Sequence, residues 1–462
     1  MTTFDLVVLG GGSGGYAAAL RGAQLGLSVA LVEADKVGGT CLHRGCIPTK
    51  ALLHAAEVAD AARDGEAFGV HSTFNGMDAP ALNHYTRSVV DRLYGGLSGL
   101  VAQRGVHLVT ATGRLVRDAE GLGVETASEG VLRGRYVVLA TGSQPKTLGL
   151  PIDGDRVLTS DHALWLSELP ASAVVLGGGV IGVELASAWR SFGVEVSIVE
   201  ALPRLVPNEE PAISSVLERA FAKRGINVVT SAPMRSLDVR GDGVRVELET
   251  NLAIEADVVL VAVGRGPNSA DKGFEEAGVR LDRGHVVVDD GLMTTTPGIY
   301  AVGDLVAGAQ LAHRGFAHGL FVAERIANSL GRTSSRPALV ADADIPRVTY
   351  CDPEIVSVGL TAEQAARGGA IEIAEYNLGG NGRAQILRTP GLVKIVRRTN
   401  GPIVGVHIIG SRVSELAAEA QLATSWETFP EDLASLLHAH PTLGEAISEA
   451  AMALAGRPLH SH

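Results

Sequence analysis

The sequence predicts an α/β protein with two Rossmann-like dinucleotide-binding domains and, after them, a C-terminal α+β domain. The main observation is an internal repeat. One order of apolar run, glycine-rich loop, helix and second apolar run occurs first near residue 10 and again near residue 177. The second observation is a mixture of strand-like runs and helical stretches after about residue 345. Two such repeats indicate two dinucleotide sites or one large site in two parts.

The first repeat begins with the apolar run Phe4–Leu9. The loop that follows has the G-x-G-x-x-G spacing through Gly10, Gly12 and Gly15. Glycines there let the backbone approach a pyrophosphate, which binds at the positive N-terminal end of the next helix. Glu33 follows 18 residues after Gly15, where a carboxylate can accept hydrogen bonds from a ribose. This order predicts a dinucleotide site rather than a glycine-rich surface turn.

The second repeat has the same spacing through Gly177, Gly179 and Gly182 and ends at Glu200. A carboxylate at that position pairs with a free ribose 2′-hydroxyl and repels a 2′-phosphate. Arg204 is the nearest cation after it, and it follows a proline. The sequence therefore predicts NAD rather than NADP at the second site, with a plain strand-end acid as the alternative for Glu200.

Composition and termini limit the classes of partner. The formal net charge of −12 disfavours nucleic acid or an anionic membrane as the main partner. The N-terminus has no basic segment, and its apolar run is too short for a signal peptide or a membrane span. Three cysteines do not make a secreted disulphide scaffold. We therefore expect a cytoplasmic protein with no membrane segment and no metal site.

Two of the three cysteines lie close together in the segment 38–50. A regular helix would place Cys41 and Cys46 roughly 8 Å apart. A disulphide needs Cα atoms within roughly 4.4–6.8 Å, so a bridge requires local distortion. Gly45 permits unusual dihedral angles and Pro48 withholds a backbone donor, which predicts a distorted helix start carrying a reducible pair. A zinc site is the alternative, but the sequence has no second pair at ligand spacing.

This segment resembles the flavoprotein disulphide reductases that use pyridine nucleotides, where Gly-Gly-Thr-Cys-x4-Cys-Ile-Pro-Thr-Lys follows a first nucleotide-binding fold. The resemblance runs essentially end to end, and segments 140–142 and 296–304 match the family's two further FAD motifs. Within the family, these sequence motifs are most similar to those of the enzymes that oxidise protein-bound dihydrolipoamide with NAD+. The resemblance implies tightly, non-covalently bound FAD, NAD as co-substrate, and lipoyl domains of a 2-oxoacid dehydrogenase or glycine cleavage complex as partners.

The resemblance also implies roles for single residues. Cys41 would exchange with the substrate, and Cys46 would face the flavin. Asp304 would hold the ribityl chain, and Lys50 would lie near the flavin, paired with Glu184. A surface lysine and an ordinary first-turn helix acid are the alternatives for Lys50 and Glu184. The resemblance also implies further cofactor-binding residues: Gly39, Thr40, Gly113, Thr141, Gly142 and Ala312 for FAD, and Ile181 and Gly264 for NAD.

The C-terminal signature is His-Ala-His-Pro-Thr-Leu-Gly-Glu, residues 438–445. By resemblance, His440 is the acid/base and Glu445 orients its ring. The spacing from Thr442 to Glu445 is also that of a capping box opening a helix. The two roles are compatible, and we give the capping role more weight. His438 is interpreted as a bystander. Because family members are homodimers in which this histidine serves the partner's cysteines, we expect the dimer to be required for activity.

Two other functions remain as alternatives. A reductase of another disulphide, of the glutathione type, would be expected to carry NADP-selecting arginines where this chain has Glu200. A non-catalytic flavin-binding subunit is disfavoured by the intact cysteines and histidine. His43, Arg44 and His318 depart from the family's usual residues. The third cysteine, Cys351, is interpreted as a buried free thiol rather than a redox group.

The predicted domain order is FAD domain, NAD domain, FAD domain and interface domain. The predicted boundaries are 1–145 for the first part of the FAD-binding domain, 146–266 for the NAD-binding domain, 267–340 for the second part of the FAD-binding domain, and 341–462 for the dimerisation domain. A polar linker is predicted at 331–337.

Overall fold

A computed structural model describes residues 3–334 and 337–460. Positions 335 and 336 of the predicted linker lie outside the described residues. No helix in the described ranges is both long and apolar enough to cross a membrane. The strands are β1 (Thr3–Leu9), β2 (Val29–Glu33), β3 (His107–Thr110), β4 (Gly113–Asp118), β5 (Gly121–Thr126), β6 (Gly130–Leu139), β7 (Ser143–Pro145), β8 (Val157–Thr159), β9 (Ser172–Leu176), β10 (Glu195–Val199), β11 (Asn227–Val229), β12 (Met234–Arg240), β13 (Gly243–Leu248), β14 (Ala253–Ala256), β15 (Val258–Val261), β16 (Arg265–Pro267), β17 (Leu281–Asp282), β18 (His285–Val286), β19 (Ile299–Ala301), β20 (Arg347–Thr349), β21 (Glu354–Gly359), β22 (Ile371–Asn377), β23 (Leu392–Arg398) and β24 (Ile403–Gly410).

The α-helices are α1 (Ser13–Gln24), α2 (Gly39–Arg44), α3 (Cys46–Asp64), α4 (Ala79–Gln103), α5 (Ser160–Ala163), α6 (Val180–Phe192), α7 (Pro211–Lys223), α8 (Ala312–Ser329), α9 (Ala362–Ala366), α10 (Gly382–Leu387), α11 (Ala417–Ser425), α12 (Pro430–Leu433) and α13 (Glu445–Leu454). Short 3-10 helices occur at Gly65–Phe68, Gly303–Leu305, Asp342–Asp344, Leu378–Gly380 and Val413–Leu416.

The chain divides into two compact units. Unit 1 comprises Met1–Ala51, His84–Lys146 and Arg265–Val340. Unit 2 comprises Leu52–Asn83, Thr147–Gly264 and Ala341–His462. Residues 52–83 thus group with unit 2, whereas the sequence analysis placed them in the segment 1–145. The four predicted domain boundaries stay a prediction.

Unit 1 is built on a sheet with the strand order β3-β2-β1-β6-β5-β4, and β19 also pairs with β6. β3, β2, β1, β6 and β19 run parallel, while β4, β5 and β6 form an antiparallel meander. The run Leu6–Leu9 is buried on both faces of this sheet, as the continuous apolar pattern of a covered parallel strand requires. The carboxyl ends of β1, β6 and β19 therefore meet at one edge, where such sheets bind ligands.

Helices α1 and α8 of unit 1 pack at very short range because both carry glycines. A Cβ on Gly319 would lie 2.3 Å from the carbonyl oxygen of Gly14, and a Cβ on Gly14 would lie 2.9 Å from Val302 Cγ2. No larger side chain fits at these contacts. The close packing holds the N-terminal end of α1 in place beside the β1 edge.

Unit 2 contains two main sheets. The first has the order β11-β10-β9-β15-β8 and is parallel throughout, with α6 and α7 in its connections. The second has the order β20-β21-β24-β23-β22 and is antiparallel. A three-stranded antiparallel sheet, β12-β13-β14, belongs to the same unit. Trp189 and Phe221 fill the core around the parallel sheet, and helices α11 and α13 cover the antiparallel one.

The predicted strand–loop–helix–strand repeat is confirmed in both units. β1, α1 and β2 form the first copy, and β9, α6 and β10 form the second. α4 begins at Ala79, and Pro80 lies in its first turn, where the missing backbone N–H is tolerated. The α/β fold with a C-terminal α+β region is therefore confirmed.

Candidate active site

The first glycine loop contains glycines of two kinds. A Cβ on Gly10 would lie 2.4 Å from the carbonyl oxygen of Ala140, and one on Gly15 would lie 1.8 Å from that of Gly10, so the fold itself requires both. Gly12 is different, because the nearest atom to a Cβ there would be Gly39 Cα at 4.0 Å. Among the described residues no side chain caps α1. Its first N–H groups and the space beside Gly12 fit a dinucleotide phosphate.

The second glycine loop repeats this division. Gly177 and Gly182 are required by packing, since a Cβ on either would lie 2.5 Å or less from a carbonyl oxygen. A Cβ on Gly179 would meet nothing within 4 Å, and no described side chain caps α6. Ile181 follows in the first turn of α6, partly exposed, and Gly264 has a φ of +100° beside open space. This end of α6 also fits a dinucleotide phosphate.

The glutamate at the end of each repeat supports its own loop. Glu33 Oε2 accepts a hydrogen bond from the Gly11 N–H at 2.6 Å. Glu200 Oε2 accepts one from the Gly178 N–H, also at 2.6 Å. A carboxylate has about four lone-pair positions, so each can also accept from a ribose hydroxyl. The two predicted ribose-binding acids therefore have matching geometry.

Asp304 follows β19 and is the start of a polar chain in unit 1. Its Oδ2 accepts a hydrogen bond from Ser143 Oγ at 2.6 Å. Arg265 Nε donates to Ser143 Oγ at 2.8 Å, and its Nη2 lies 3.5 Å from Thr40 Oγ1. These hydrogen bonds thus connect Asp304, the predicted ribityl-binding residue, to Thr40, the residue before Cys41. Arg265 and Ser143 were not predicted as site residues, although both adjoin motifs that were.

The other predicted FAD residues differ in what holds them. Thr141 Oγ1 donates to the Asn268 carbonyl oxygen at 2.7 Å, and Gly142 has a φ of +70°. Gly113 is explained by packing, since a Cβ there would lie 2.7 Å from Leu9 Cδ1. Ala312 is the first residue of α8.

His318, at the position where the family often has glutamate, is buried in α8. Its Nδ1 accepts a hydrogen bond from the Gly303 N–H at 3.3 Å. Gly303 directly precedes Asp304 in the chain. This histidine therefore supports the predicted FAD segment from inside the unit, and it does not lie on an exposed face.

The two cysteines lie on either side of a helix break. α2 ends at Arg44 and α3 begins at Cys46, so Gly45 alone separates them. A Cβ on Gly45 would lie 3.0 Å from the carbonyl oxygen of Thr40. Thr49 closes the new helix start, because its Oγ1 donates to the Gly45 carbonyl oxygen at 2.7 Å. The predicted distortion at Gly45 is confirmed.

A hydrogen bond joins the side chains of Cys41 and Cys46. That hydrogen bond, together with burial, raises the pKa of the Cys41 thiol, while the positive charge of Lys50 acts in the opposite direction. Burial and the neighbouring Cys41 raise the pKa of Tyr16 to about 12. Tyr16 was not predicted, since a tyrosine in the first turn of a Rossmann helix carries no signal of its own.

The residues between the cysteines divide between the surface and the interior. Arg44 is exposed and lies 3.4 Å from Asp35. His43 is partly buried: its Nε2 lies 2.9 Å from the Val37 carbonyl oxygen, and its ring packs edge-on against Tyr94. These two contacts turn the His43 ring inward, whereas Arg44 faces solvent.

Glu184 lies in the first turns of α6, in unit 2, and is only 3% exposed. Its Oε1 accepts a hydrogen bond from the Tyr350 N–H at 2.8 Å. Glu184 is the fifth residue of α6 and the first turn of that helix holds no acid, so the alternative of an ordinary first-turn helix acid does not describe it. Its predicted pairing with Lys50 joins residues of different units and stays a prediction.

The C-terminal carboxylate makes a contact for each of its two predicted roles. Glu445 Oε1 lies 2.8 Å from His440 Nδ1, and its Oε2 accepts from the Thr442 N–H at 2.7 Å. The Thr442 hydroxyl donates to the Ala439 carbonyl oxygen at 2.7 Å, so only the glutamate half of a capping box forms. The capping contact and the contact with the imidazole therefore coexist on one carboxylate.

The His440 side chain is 78% exposed in the single chain. Within the described residues its Nε2 has no hydrogen-bond partner, so this nitrogen points outward and is available to a second molecule. His438, by contrast, is 12% exposed and lies 2.7 Å from Glu419. The hydrogen bond with Glu419 raises the pKa of His438 against the effect of burial.

Cys351 is fully enclosed in unit 2 at 1% exposure. Burial, and then the negative charge of Glu184, raise the pKa of its thiol well above the ordinary value. A buried protonated thiol has little nucleophilicity. The geometry agrees with the prediction of an inert cysteine.

Two family models match most of the chain. The pyridine nucleotide-disulphide oxidoreductase model matches residues 4–319. The dimerisation domain of the same oxidoreductases matches residues 345–451. The chain belongs to the pyridine nucleotide-disulphide oxidoreductase family. The predicted family, the flavoprotein oxidoreductase class and the cofactors FAD and NAD are therefore confirmed, and the dimerisation domain supports a homodimer.

Relatives of this oxidoreductase match over nearly the whole chain. The dihydrolipoyl dehydrogenase of Bacillus subtilis (strain 168) is 38% identical over 477 residues, covering 99% of both chains. The leghemoglobin reductase of Glycine max is also 38% identical, over 99% of this chain and 88% of its own. The crystal structure of LpdA from Mycobacterium tuberculosis matches with a TM-score of 0.89 and 27% identity, over 97% of this chain and 99% of that one.

Proposed function

We propose that this oxidoreductase converts protein-bound dihydrolipoamide to lipoamide and reduces NAD+ to NADH. The observation that carries the proposal is the paired thiols of Cys41 and Cys46 at a helix break, in a chain that is 38% identical to a dihydrolipoyl dehydrogenase end to end. Glu200 supports NAD over NADP, since its carboxylate would repel a 2′-phosphate.

The thiol half of the reaction uses the chain's own residues. One substrate thiol loses its proton to His440 and attacks the sulphur of Cys41 in the oxidised pair. The bond between Cys41 and Cys46 breaks, and Cys46 leaves as a thiolate. The second substrate thiol then attacks the mixed disulphide, which releases lipoamide and leaves two reduced cysteines. Glu445 orients the histidine through its 2.8 Å contact with Nδ1, so that Nε2 faces the thiol.

Thiols and nicotinamide do not exchange electrons readily. FAD, when bound, would supply this link, because a flavin can accept an electron pair from a thiolate and pass it on as hydride. The residues proposed to hold it are Gly12 with the N-terminus of α1, Glu33, Thr141 and Asp304. Cys46 is proposed to face the flavin. Lys50 is proposed to lie near the flavin and to pair with Glu184. Hydride transfer to NAD+ is proposed to occur near Glu184, with NAD+ bound at Gly179 and Glu200.

The proposed partners are a second copy of this chain and the lipoyl domains of a 2-oxoacid dehydrogenase or glycine cleavage complex. The outward Nε2 of His440 supports the first, since a site completed by the partner's cysteines leaves this nitrogen uncovered in one chain. We place the reaction in the cytoplasm, where thiols are kept reduced. The proposed division of the chain into FAD, NAD and interface segments follows the boundaries of the sequence analysis.

The proposal is tested by steady-state rates of the purified holoenzyme with three substrate pairs: dihydrolipoamide with NAD+, dihydrolipoamide with NADP+, and glutathione disulphide with NADPH. We expect the first pair to exceed the other two by at least ~100-fold in kcat/KM, because a site built for one polar partner rejects another strongly. Dominant activity with glutathione disulphide and NADPH would refute it. Absence of turnover with all three pairs in FAD-loaded protein would favour a non-catalytic subunit.

A further inference from the structure

Helix α6 carries a buried polar stripe through an otherwise apolar core. Glu184, Ser187 and Ser191 are spaced three and four residues apart, so they share one face of the helix. Each is 3% exposed or less. Buried polar groups destabilise a fold unless their hydrogen bonds are made, so this stripe must meet matching partners in one register.

One guanidinium supplies most of those partners. Arg224, which directly follows α7, donates from Nη1 to Ser187 Oγ at 2.7 Å and from Nη2 to Ser191 Oγ at 2.7 Å. Nη2 also lies 3.4 Å from Asp60 Oδ2, and Ser191 Oγ donates to the same carboxylate oxygen at 2.6 Å. A planar fork spans two hydroxyls one turn apart, whereas the single ammonium of a lysine does not.

The same guanidinium holds the loop that binds the Glu184 carboxylate. Arg224 Nη1 donates to the carbonyl oxygen of Asp352 at 2.9 Å, and the Asp352 N–H donates to Ser187 Oγ at 3.1 Å. Two residues earlier, the Tyr350 N–H donates to Glu184 Oε1 at 2.8 Å. The backbone at 350–352 therefore accepts a hydrogen bond from Arg224 at Asp352 and donates one to Glu184 at Tyr350.

We propose that Arg224 is a positioning residue for Glu184. It sets the register between α6 and the backbone at 350–352, and that register sets the place of the Glu184 carboxylate. The geometry stands by itself, but the kinetic consequence rests on the proposed function, in which Glu184 serves the NAD+ step. No atom of Arg224 is required to touch a substrate.

The test uses two main variants, the conservative variant Arg224→Lys and one control in the FAD-loaded holoenzyme. Arg224→Met removes the fork, and Ser187→Ala removes the shared hydroxyl without a change of charge. Leu217→Ala is the control, since Leu217 is a fully buried residue of α7 and its truncation loosens the same unit through a cavity alone. The measurements are kcat/KM for NAD+, KM for dihydrolipoamide, FAD content, Tm, and the alkylation rate of the Cys351 peptide by iodoacetamide.

We expect Arg224→Met to lower kcat/KM for NAD+ by about tenfold or more, because small misplacements near a reacting centre are costly. KM for dihydrolipoamide and FAD content should stay at wild-type values, and Cys351 should alkylate faster as the backbone around it loosens. Ser187→Ala should show the same pattern more weakly, and Arg224→Lys should restore only part of the loss. Leu217→Ala should lower Tm without a selective loss in kcat/KM for NAD+.

A wild-type kcat/KM for NAD+ in both variants, or an equal loss for both substrates as in the control, would overturn the proposal. If Arg224→Met does not fold, Ser187→Ala decides by the same criteria. Alkylation of Cys351 needs no substrate. Unchanged protection in both variants therefore overturns the positioning role whatever the enzyme oxidises. If Cys351 alkylates faster in the variants but the wild-type enzyme is inactive with dihydrolipoamide, only the proposed function is refuted.

Discussion

At the scale of single residues, Glu445 shows how one carboxylate joins a structural and a functional contact. The sequence indicated helix capping and histidine orientation as compatible roles, and the carboxylate contacts both the Thr442 N–H and His440 Nδ1. The motif spacing was enough to predict these partners. It was not enough to predict that the Thr442 hydroxyl would bond to the Ala439 carbonyl oxygen instead of completing the capping box.

We expect Glu445→Gln to lower kcat by at least ~10-fold with little change in KM for dihydrolipoamide, because an orienting group acts mainly when the proton is transferred. The amide keeps the size of the side chain but replaces one acceptor oxygen with a donor. Stopped-flow rates across substrate concentration separate the two parameters. Glu427→Gln, an exposed acid of the same domain, is the matched control. A loss confined to KM would contradict the orienting role.

The difference in stability between the wild type and Glu445→Gln should depend on pH. Burial acts to raise the pKa of Glu445, but the Thr442 N–H and His440 outweigh it, and the net pKa is lowered. A carboxyl with a lowered folded pKa adds stability above its unfolded pKa of about 4.3, and this stability is lost as pH falls through the folded value. The Tm of the wild type should therefore exceed that of Glu445→Gln at neutral pH and approach it in acid.

At the scale of elements, the break between α2 and α3 was predictable because it is encoded locally. Gly45 and Pro48 lie inside the motif that they distort, so five-residue spacing and elementary helix geometry sufficed. The hydrogen-bonded series from Asp304 through Ser143 to Arg265 was not predictable, since Ser143 is 161 residues from Asp304 and 122 residues from Arg265 in sequence. Nothing in a local pattern specifies which distant side chain completes it.

The N-terminus of α6 offers a test that separates packing glycines from ligand glycines. Gly179→Ala should keep the wild-type Tm within about 2 °C, because its Cβ enters open space, and should raise KM for NAD+ by at least ~10-fold by crowding the phosphate. Gly182→Ala should instead lower Tm strongly, since its Cβ would lie 1.9 Å from the Gly177 carbonyl oxygen. Differential scanning fluorimetry and NAD+ kinetics check both. An unchanged KM in Gly179→Ala would remove this end of α6 from the NAD site.

At the scale of the whole molecule, the fold class and the order of elements followed from the repeated nucleotide-binding pattern. Less predictable was the grouping of residues, since the second half of α3 joins unit 2 while its first turn carries Cys46 in unit 1. Long-range packing decides such boundaries, and a helix that passes from one unit to the next carries no mark of it in its sequence. His440 is exposed in one chain, which agrees with the proposal that the partner subunit's cysteines complete its site.

Subunit complementation tests whether that site is shared. Cys46→Ser and His440→Gln should each reduce dihydrolipoamide turnover by at least ~100-fold as separate homodimers, because one lacks the thiol pair and the other the base. If each histidine serves the partner's cysteines, a mixed dimer has one site with both groups intact. Random exchange of equal amounts then restores about a quarter of wild-type activity, since half of the dimers are mixed and each carries one good site. FAD content should be unaffected. No restoration after proven exchange, or full turnover by a monomeric form, would mean that His440 serves the cysteines of its own chain.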